Sequence, residues 1–396
     1  MRVPEGWGHE KLGRISTAVT SGSRDWAQFY SESGSKFIRM TNLRRDGIYL
    51  KLDDMKYVDV KSDSADGKRT ALAKGDILIS ITAELGKIGW IPENFGEAFI
   101  NQHTALVRIN QNKANSKFIA YLLSSKKMNA VINQLNDAGA KAGLNLPTIK
   151  ALPLLLPPLP EQQKIAQILS TWDKAIEKLE TLIAVKQKRK KALMQQLLTG
   201  KKRFAGFGGE WTEVRLGDLL KGKKCKGKIV TTNAEFKGLP YIGSTSFEGV
   251  FGLYSDSDEA ITCTSTDILI LWDGENAGKV TTNLTGVVSS TVVRCRLKAN
   301  KANNQFIAYR LLKDNYKIRA IREGSGIPHM PGDFEHWYEL QLPTIEEQQK
   351  IASVLTTADT EIQTHQKHLS ALKEQKKGLM QQLLTGKKRV KVEAHV

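Results

Sequence analysis

Apolar residues recur at spacings of three and four in two stretches of the 396-residue chain, and each stretch predicts one long helix. The first apolar stripe consists of Ile165, Leu169, Trp172, Ile176, Leu179, Ile183, Leu193 and Leu197. The second stripe consists of Ile351, Leu355, Ala358, Ile362, Leu369, Leu372, Leu379 and Leu383. Stripes this narrow are typical of coiled coils, and some 40 residues would form a rod of roughly 60 Å.

The ends of both helices carry sequence signals for starting and stopping a helix. Pro160 suits a first helical turn, and Thr344 with Glu347 matches a capping box. Gly200 and Gly386 are placed to end the two helices.

The two helical stretches are copies of each other. EQQKIA occurs at 161–166 and 347–352, and MQQLLTGKKR occurs at 194–203 and 380–389. Both pairs are offset by 186 residues (347 − 161 and 380 − 194), so the intervening segment is repeated without gaps. The globular stretches before the helices differ strongly. This contrast is expected if the helices share one role and the globular stretches have two different ones.

Short β-type runs and one amphipathic helix in each globular stretch predict two mixed domains. The predicted strands are Asp76–Ile81, Ala105–Ile109, Asp267–Leu271 and Val287–Leu297, and the predicted helices are Lys117–Leu123 and Gln305–Leu312. The predicted organisation is a first domain at 1–157, a helix at 158–203, a second domain at 204–343, a helix at 344–389 and a tail at 390–396. Because the second domain connects the end of one helix to the start of the other, the helices should run antiparallel. The predicted fold class is α+β: two mixed α/β domains joined by two long antiparallel coiled-coil helices with pseudo-two-fold symmetry.

The formal net charge of +18 indicates a polyanionic partner. Residues 1–157 hold 22 basic and 15 acidic residues, 158–203 hold 11 and 4, and 204–343 hold 17 and 16. No apolar run approaches the ~20 residues that span a bilayer, and the N-terminus lacks the apolar core of a secretory signal. The three cysteines are too widely spaced for a disulfide framework or a zinc site. These features predict a reduced, cytoplasmic protein without a membrane partner.

No catalytic signature is present in the sequence. A phosphate loop, a GxGxxG fingerprint, HExxH, GxSxG and the Asn/Asp-Pro-Pro-aromatic tetrad of amino-methyltransferases are all missing. His329 and His336 lie seven residues apart, which is not a zinc spacing. We therefore expect a chain that is not an enzyme and holds no metal.

Polar and basic residues in predicted loops and strands are candidates for contacting DNA bases. In the first domain they are Arg39, Asn42, Arg44, Arg45, Lys87, Gln102, Lys141 and Asn145. In the second domain they are Tyr241, Ser244, Thr245, Lys279, Ser290, Arg322, Ser325 and His329. Each residue alone is equally well explained as an ordinary turn or strand residue. The basic run Lys186–Lys191 is either a solvated helix face or a phosphate contact.

These motifs resemble those of the specificity subunits of type I restriction–modification systems, and the resemblance covers the entire chain. The motifs are LPPLPEQQKIA at 156–166, LPTIEEQQKIA at 342–352, the LMQQLLTG helix ends at 193–200 and 379–386, and GDILIS, TDILI and YIGSTSFEG in the domains. The resemblance implies two target recognition domains, each recognising one half of a bipartite site in double-stranded DNA. The helices would space the two domains.

The resemblance also implies partners and cofactors. Two methyltransferase (modification) subunits would dock on the helices, and restriction (motor-nuclease) subunits can join them. This chain would bind no cofactor, because S-adenosylmethionine, ATP and Mg belong to the partner subunits. The expected docking residues on the outer helix faces are Gln162, Gln163, Gln195, Gln196, Gln348, Gln349, Gln381 and Gln382. The alternative is a coiled-coil scaffold that binds nucleic acid without specificity, which leaves the two dissimilar domains unexplained.

Overall fold

The computed structural model describes residues 3–24, 26–60, 65–135, 143–324 and 326–392. The chain divides into two compact units, Met1–Lys178 with Leu369–Val396, and Leu179–His368. Each unit therefore contains one globular stretch and parts of both long helices. Within the described ranges, none of the helices is long and apolar enough to cross a membrane.

Two four-stranded sheets form the globular part of the first unit. One is antiparallel, in the order Ser16–Ser21, Thr104–Ile109, Ile77–Ser80 and Ile88–Trp90. The other has the order Tyr30–Ser31, Lys56–Val58, Ser35–Ile38 and Ala98–Ile100, with its last two strands parallel. Gly8–Lys11 pairs separately with Pro153–Leu156. The helices are Ala65–Thr70, Ser116–Ser124, Lys126–Gln134 and Leu146–Ala151, with 3-10 helices at Leu12–Ile15, Trp26–Phe29 and Met40–Asn42.

The second unit has the same two kinds of sheet. The antiparallel one has the order Cys225–Lys226, Val292–Cys295, Ile268–Leu271 and Val280–Thr281. The other has the order Tyr254–Ser255, Leu239–Ile242, Gly286–Val288 and Thr262–Cys263, with its two middle strands parallel. Thr212–Arg215 pairs with Glu339–Leu342. The helices are Leu216–Leu219, Asn304–Lys313, Asn315–Ala320 and Phe334–Trp337, with a 3-10 helix at Ser244–Glu248.

The predicted amphipathic helices are confirmed, each with one further residue at both ends. The prediction of one strand over Val287–Leu297 is wrong. Gly286–Val288 and Val292–Cys295 are separate strands in different sheets. A tight turn separates them, because the Val292 amide donates to the Ser289 carbonyl at 3.0 Å.

The long helices span Leu159–Leu197 and Ile345–Leu383, with 39 residues each. Every residue of the two predicted apolar stripes is buried or half-buried. In the first unit the helices are joined by the ion pairs Glu161–Arg389 and Asp173–Lys376, and in the second by Lys190–Asp359 and Lys186–Glu361. In both units, the higher the number of the paired residue on the first helix, the lower the number of its partner on the second helix. The helices are therefore antiparallel in each unit. The α+β fold class is confirmed.

Both glycines predicted to stop the helices have left-handed backbones, with φ of 69° at Gly200 and at Gly386. The predicted capping box is only half formed. The Glu347 amide donates to Thr344 Oγ1 at 3.4 Å, but the Glu347 carboxylate pairs with Arg203 instead of closing the box.

Candidate nucleic-acid interface

A buried aspartate fixes the central strand of the antiparallel sheet in each unit. Asp76 Oδ2 accepts a hydrogen bond from the Ala73 amide at 2.7 Å, and Arg108 binds both carboxylate oxygens at 2.8 and 2.7 Å. Asp267 and Arg296 form the same pair in the second unit, with both contacts at 2.8 Å. Burial raises the pKa of Asp267, but the bonds from Arg296 and the Thr264 amide outweigh it and leave the pKa below its ordinary value. The GDILI and TDILI motifs are therefore structural.

Three loops of the first unit meet at one end of this sheet. The Ile81 amide donates to the His103 carbonyl at 3.0 Å, and the Leu144 amide donates to the Ile81 carbonyl at 2.9 Å. Thr82 Oγ1 lies 2.9 Å from His103 Nδ1. These bonds hold together segments that are far apart in the sequence.

The second unit repeats this backbone arrangement. The Trp272 amide donates to the Thr291 carbonyl at 2.8 Å, and the Met330 amide donates to the Trp272 carbonyl at 2.9 Å. Asp273 and His329 form an isolated β-bridge, as Thr82 and Gly143 do in the first unit. The backbones match, whereas the side chains differ.

A fourth segment follows the first strand of the parallel pair in each unit, Ser35–Ile38 in the first unit and Leu239–Ile242 in the second. The Arg39 amide donates to Asn42 Oδ1 at 2.9 Å, and the Gly243 amide donates to Ser246 Oγ at 3.2 Å in the equivalent turn. We call residues 39–47, 81–87, 101–103 and 143–145 the first loop surface. The second loop surface consists of residues 243–249, 272–279, 289–291 and 328–330.

The first loop surface contains most of the predicted base-contacting residues of its domain, but several have partners within the chain. Asn42 is a correction: it is buried, and its amide binds the Arg39 amide and the Lys51 carbonyl, so it is not available to a base. Two of the basic residues form ion pairs, Arg39 with Asp54 and Lys87 with Glu84. The Asn145 side chain caps the helix Leu146–Ala151, and the Gln102 side chain contacts His103. Arg44 is half-buried. Arg45 is exposed and donates to Asn129 Oδ1 at 2.9 Å. Lys141 lies outside the described residues.

In the second loop surface, Ser244 and Thr245 are exposed on the 3-10 helix Ser244–Glu248. Tyr241, on the strand before this helix, and Ser290 are half-buried. Lys279 forms an ion pair with Glu248 at 3.1 Å. The side chain of His329 is 44% exposed. Arg322 is not part of the second loop surface, and its guanidinium donates to the backbone carbonyls of Arg319 and Glu275, at 2.7 and 2.8 Å. Ser325 lies outside the described residues.

The family model for the type I restriction modification DNA specificity domain matches residues 4–187 and 208–374. The chain belongs to this family. It is 34% identical to the MjaVIII type I restriction enzyme specificity subunit of Methanocaldococcus jannaschii, over 44% of this chain and 42% of that protein. It is 27% identical to a protein of the same organism assigned as the MjaX specificity subunit, over 98% of this chain and 95% of that one.

Two solved structures share the fold of this specificity subunit. The type I restriction–modification S subunit from M. genitalium has a TM-score of 0.68 at 16% identity, covering 97% of this chain and 98% of that one. A chain from a structure on complex assembly and conformational transition of the type I R-M system has a TM-score of 0.56 at 17% identity, covering 97% and 99%.

The glutamines predicted on the outer helix faces of the specificity subunit fall into two groups. Gln162 and Gln348 are a correction, because they are 2% and 1% exposed. The Gln162 side chain accepts from the Asn115 amide at 2.9 Å and donates to the Pro157 carbonyl at 2.8 Å, and Gln348 makes the equivalent bonds with Asn303 and Pro343. The exposed members are Gln163, Gln195, Gln196, Gln349, Gln381 and Gln382.

The basic residues of the specificity subunit are also partly committed to internal contacts. In the run Lys186–Lys191, Lys186 and Lys190 pair with acidic residues of the second long helix, whereas Lys188, Arg189 and Lys191 are exposed. Sequence reasoning overlooked Lys226, whose Nζ lies 2.7 Å from Asp273 in the second loop surface. The signal was visible, because five of the eight residues at 221–228 are lysines.

Proposed function

We propose that each loop surface recognises one half of a bipartite site in double-stranded DNA. The supporting observation is that matched backbone positions of the two loop surfaces carry different side chains. The matched pairs are Thr82 with Asp273, His103 with Thr291, and Gly143 with His329. A hydroxyl, a carboxylate and an imidazole offer different donors and acceptors, so the two loop surfaces would select different base edges.

We further propose that the chain is not catalytic and binds no cofactor, and that it works in the cytoplasm. Two methyltransferase subunits would bind the exposed glutamines of the two similar helix surfaces, and restriction subunits can join them. S-adenosylmethionine, ATP and Mg would be bound by those partners. The purified chain alone should then transfer no methyl group from S-adenosylmethionine to DNA. With the methyltransferase at saturation, light scattering should give two copies per chain.

Binding-site selection from random duplexes, with the methyltransferase partner present, tests the recognition proposal. We expect two defined sequence blocks separated by an unspecified spacer. Arg45→Ala should relax one position in one block by roughly ten- to hundred-fold if Arg45 binds a guanine. The matched control is Lys113→Ala, because Lys113 is exposed beyond the opposite end of the strand Thr104–Ile109. This control should leave the selected sequence unchanged.

Two results would contradict the recognition proposal. Selection of no sequence by the wild-type complex would favour the non-specific scaffold. Relaxation of both blocks by Arg45→Ala, in a folded protein, would contradict separate recognition by the two loop surfaces.

A further inference from the structure

In both units, one glycine allows the chain to pass directly against a loop surface. Gly22 and Gly227 follow the edge strands Ser16–Ser21 and Cys225–Lys226. A Cβ atom on Gly227 would lie 2.1 Å from the Val288 carbonyl oxygen, and one on Gly22 would lie 2.2 Å from the Ile100 carbonyl oxygen. Both distances are far below van der Waals contact, so only glycine fits at these two positions.

Contacts on either side of these glycines link the passing segments to the loop surfaces. In the first unit, the Gln102 amide donates to the Ser23 carbonyl at 3.1 Å. In the second unit, Lys226 pairs with Asp273 of the second loop surface. The Gly227 amide itself donates to the carbonyl of Val292, the residue directly after the loop segment 289–291, at 3.0 Å. Sequence reasoning did not select either segment.

The exposed residue two positions after the glycine differs between the units. It is Arg24 in the first unit and Ile229 in the second. Ile229 is 89% exposed, the largest exposed fraction of any large apolar side chain in the described part of the chain. Single apolar residues are common on protein surfaces, so exposure alone assigns Ile229 no role. Its place two residues after Gly227, where the chain passes directly against the second loop surface, makes its side chain available to a ligand of that surface. Lys228 is also exposed and gives this segment a positive charge, in addition to Lys226 in its ion pair with Asp273, which favours DNA over an apolar protein surface.

We infer that Ile229 contacts the methyl group of a thymine in the half-site recognised by the second loop surface, with Lys228 at a neighbouring phosphate. Thymine carries the only apolar group on a base edge in the major groove. Arg24 occupies the matched position for the other half-site. This inference rests on the proposed function, because it requires the second loop surface to face DNA.

The test uses the full chain with its methyltransferase partner and the selected duplex, in which thymines of the second half-site are replaced by deoxyuridine. This replacement removes only the methyl groups. We expect wild type to bind the uracil duplex about fourfold more weakly, the contribution of one buried methyl group. Ile229→Ala should bind the thymine duplex at least fourfold more weakly than wild type does, and should no longer distinguish the two duplexes. The control Val185→Ala changes a 58% exposed apolar residue on the first long helix, far along the chain from either loop surface, and should distinguish the thymine and uracil duplexes by the same factor as wild type.

The outcomes separate this inference from the proposed function. If wild type selects a bipartite sequence but Ile229→Ala binds and discriminates like wild type, the inference is overturned and the proposed function stands. The inference is also overturned, with the proposed function intact, if the selected second half-site contains no thymine or if wild type binds the thymine and uracil duplexes equally well. If wild type selects no sequence, the proposed function fails first.

Discussion

Tyr309 connects the second globular domain to both long helices, and its removal should destabilise the second unit. Its hydroxyl donates to Asp359 Oδ2 at 2.7 Å, and Asp359 also pairs with Lys190. A hydrogen bond to a charged group contributes ~1.5–3 kcal/mol. The Asp359 side chain is 32% exposed, so water can replace the lost partner. We therefore expect Tyr309→Phe to cost about 1–2 kcal/mol of unfolding free energy.

A double-mutant cycle separates this bond from other effects of the substitution. Unfolding free energies from urea titrations of Tyr309→Phe, Asp359→Ala and the double variant should give a coupling energy of about 1 kcal/mol. Hydrogen exchange should accelerate in peptides of the second unit and not in those of the first. The control is Tyr316→Phe, because Tyr316 is 70% exposed and should change stability by less than ~0.5 kcal/mol. A coupling energy of zero would refute the assigned bond, and equal acceleration in both units would refute its location.

Three further predictions concern pH, the buried glutamines and the basic run. Burial and the Asp359 carboxylate raise the pKa of Tyr309, so its stabilising effect is complete below the unfolded pKa of about 10 and is lost as the pH rises beyond it. Wild type should therefore lose unfolding free energy above that pH more steeply than Tyr309→Phe does. Gln348→Ala leaves buried backbone groups unpaired and should cost about 2–3 kcal/mol in a urea titration, whereas Gln349→Ala should cost less than ~0.5 kcal/mol. If Lys188 binds a DNA phosphate, Lys188→Gln should flatten the salt dependence of binding by about one unit, and an unchanged slope would identify a solvated helix face.

The sequence predicted most of the loops that form the candidate site, but it did not predict which side chains on these loops are exposed. Ser244, Thr245 and Arg45 were predicted and are exposed on the loop surfaces. Asn42 was predicted for the same reason, yet its amide is consumed by two backbone groups. Amide side chains serve equally well as base contacts and as internal supports, so residue type alone could not separate these roles.

The glutamine pairs show the same limit within one motif. Gln162 and Gln163 are neighbours in EQQKIA, but the first is buried and the second is exposed. The difference arises from the Asn115 amide, which is 47 residues away along the chain. Only the folded domain brings that group against the helix.

The sequence by itself determined the long helices, their repetition and their antiparallel course. Helical periodicity is a local property, because residues three and four apart share a face, and a chain that connects two helices through one domain restricts their direction. The tertiary structure alone decided which loops meet, and it split Val287–Leu297 between two sheets. It also placed Gly22 and Gly227 against the loop surfaces. These features depend on contacts between residues far apart in the sequence, which no local pattern records.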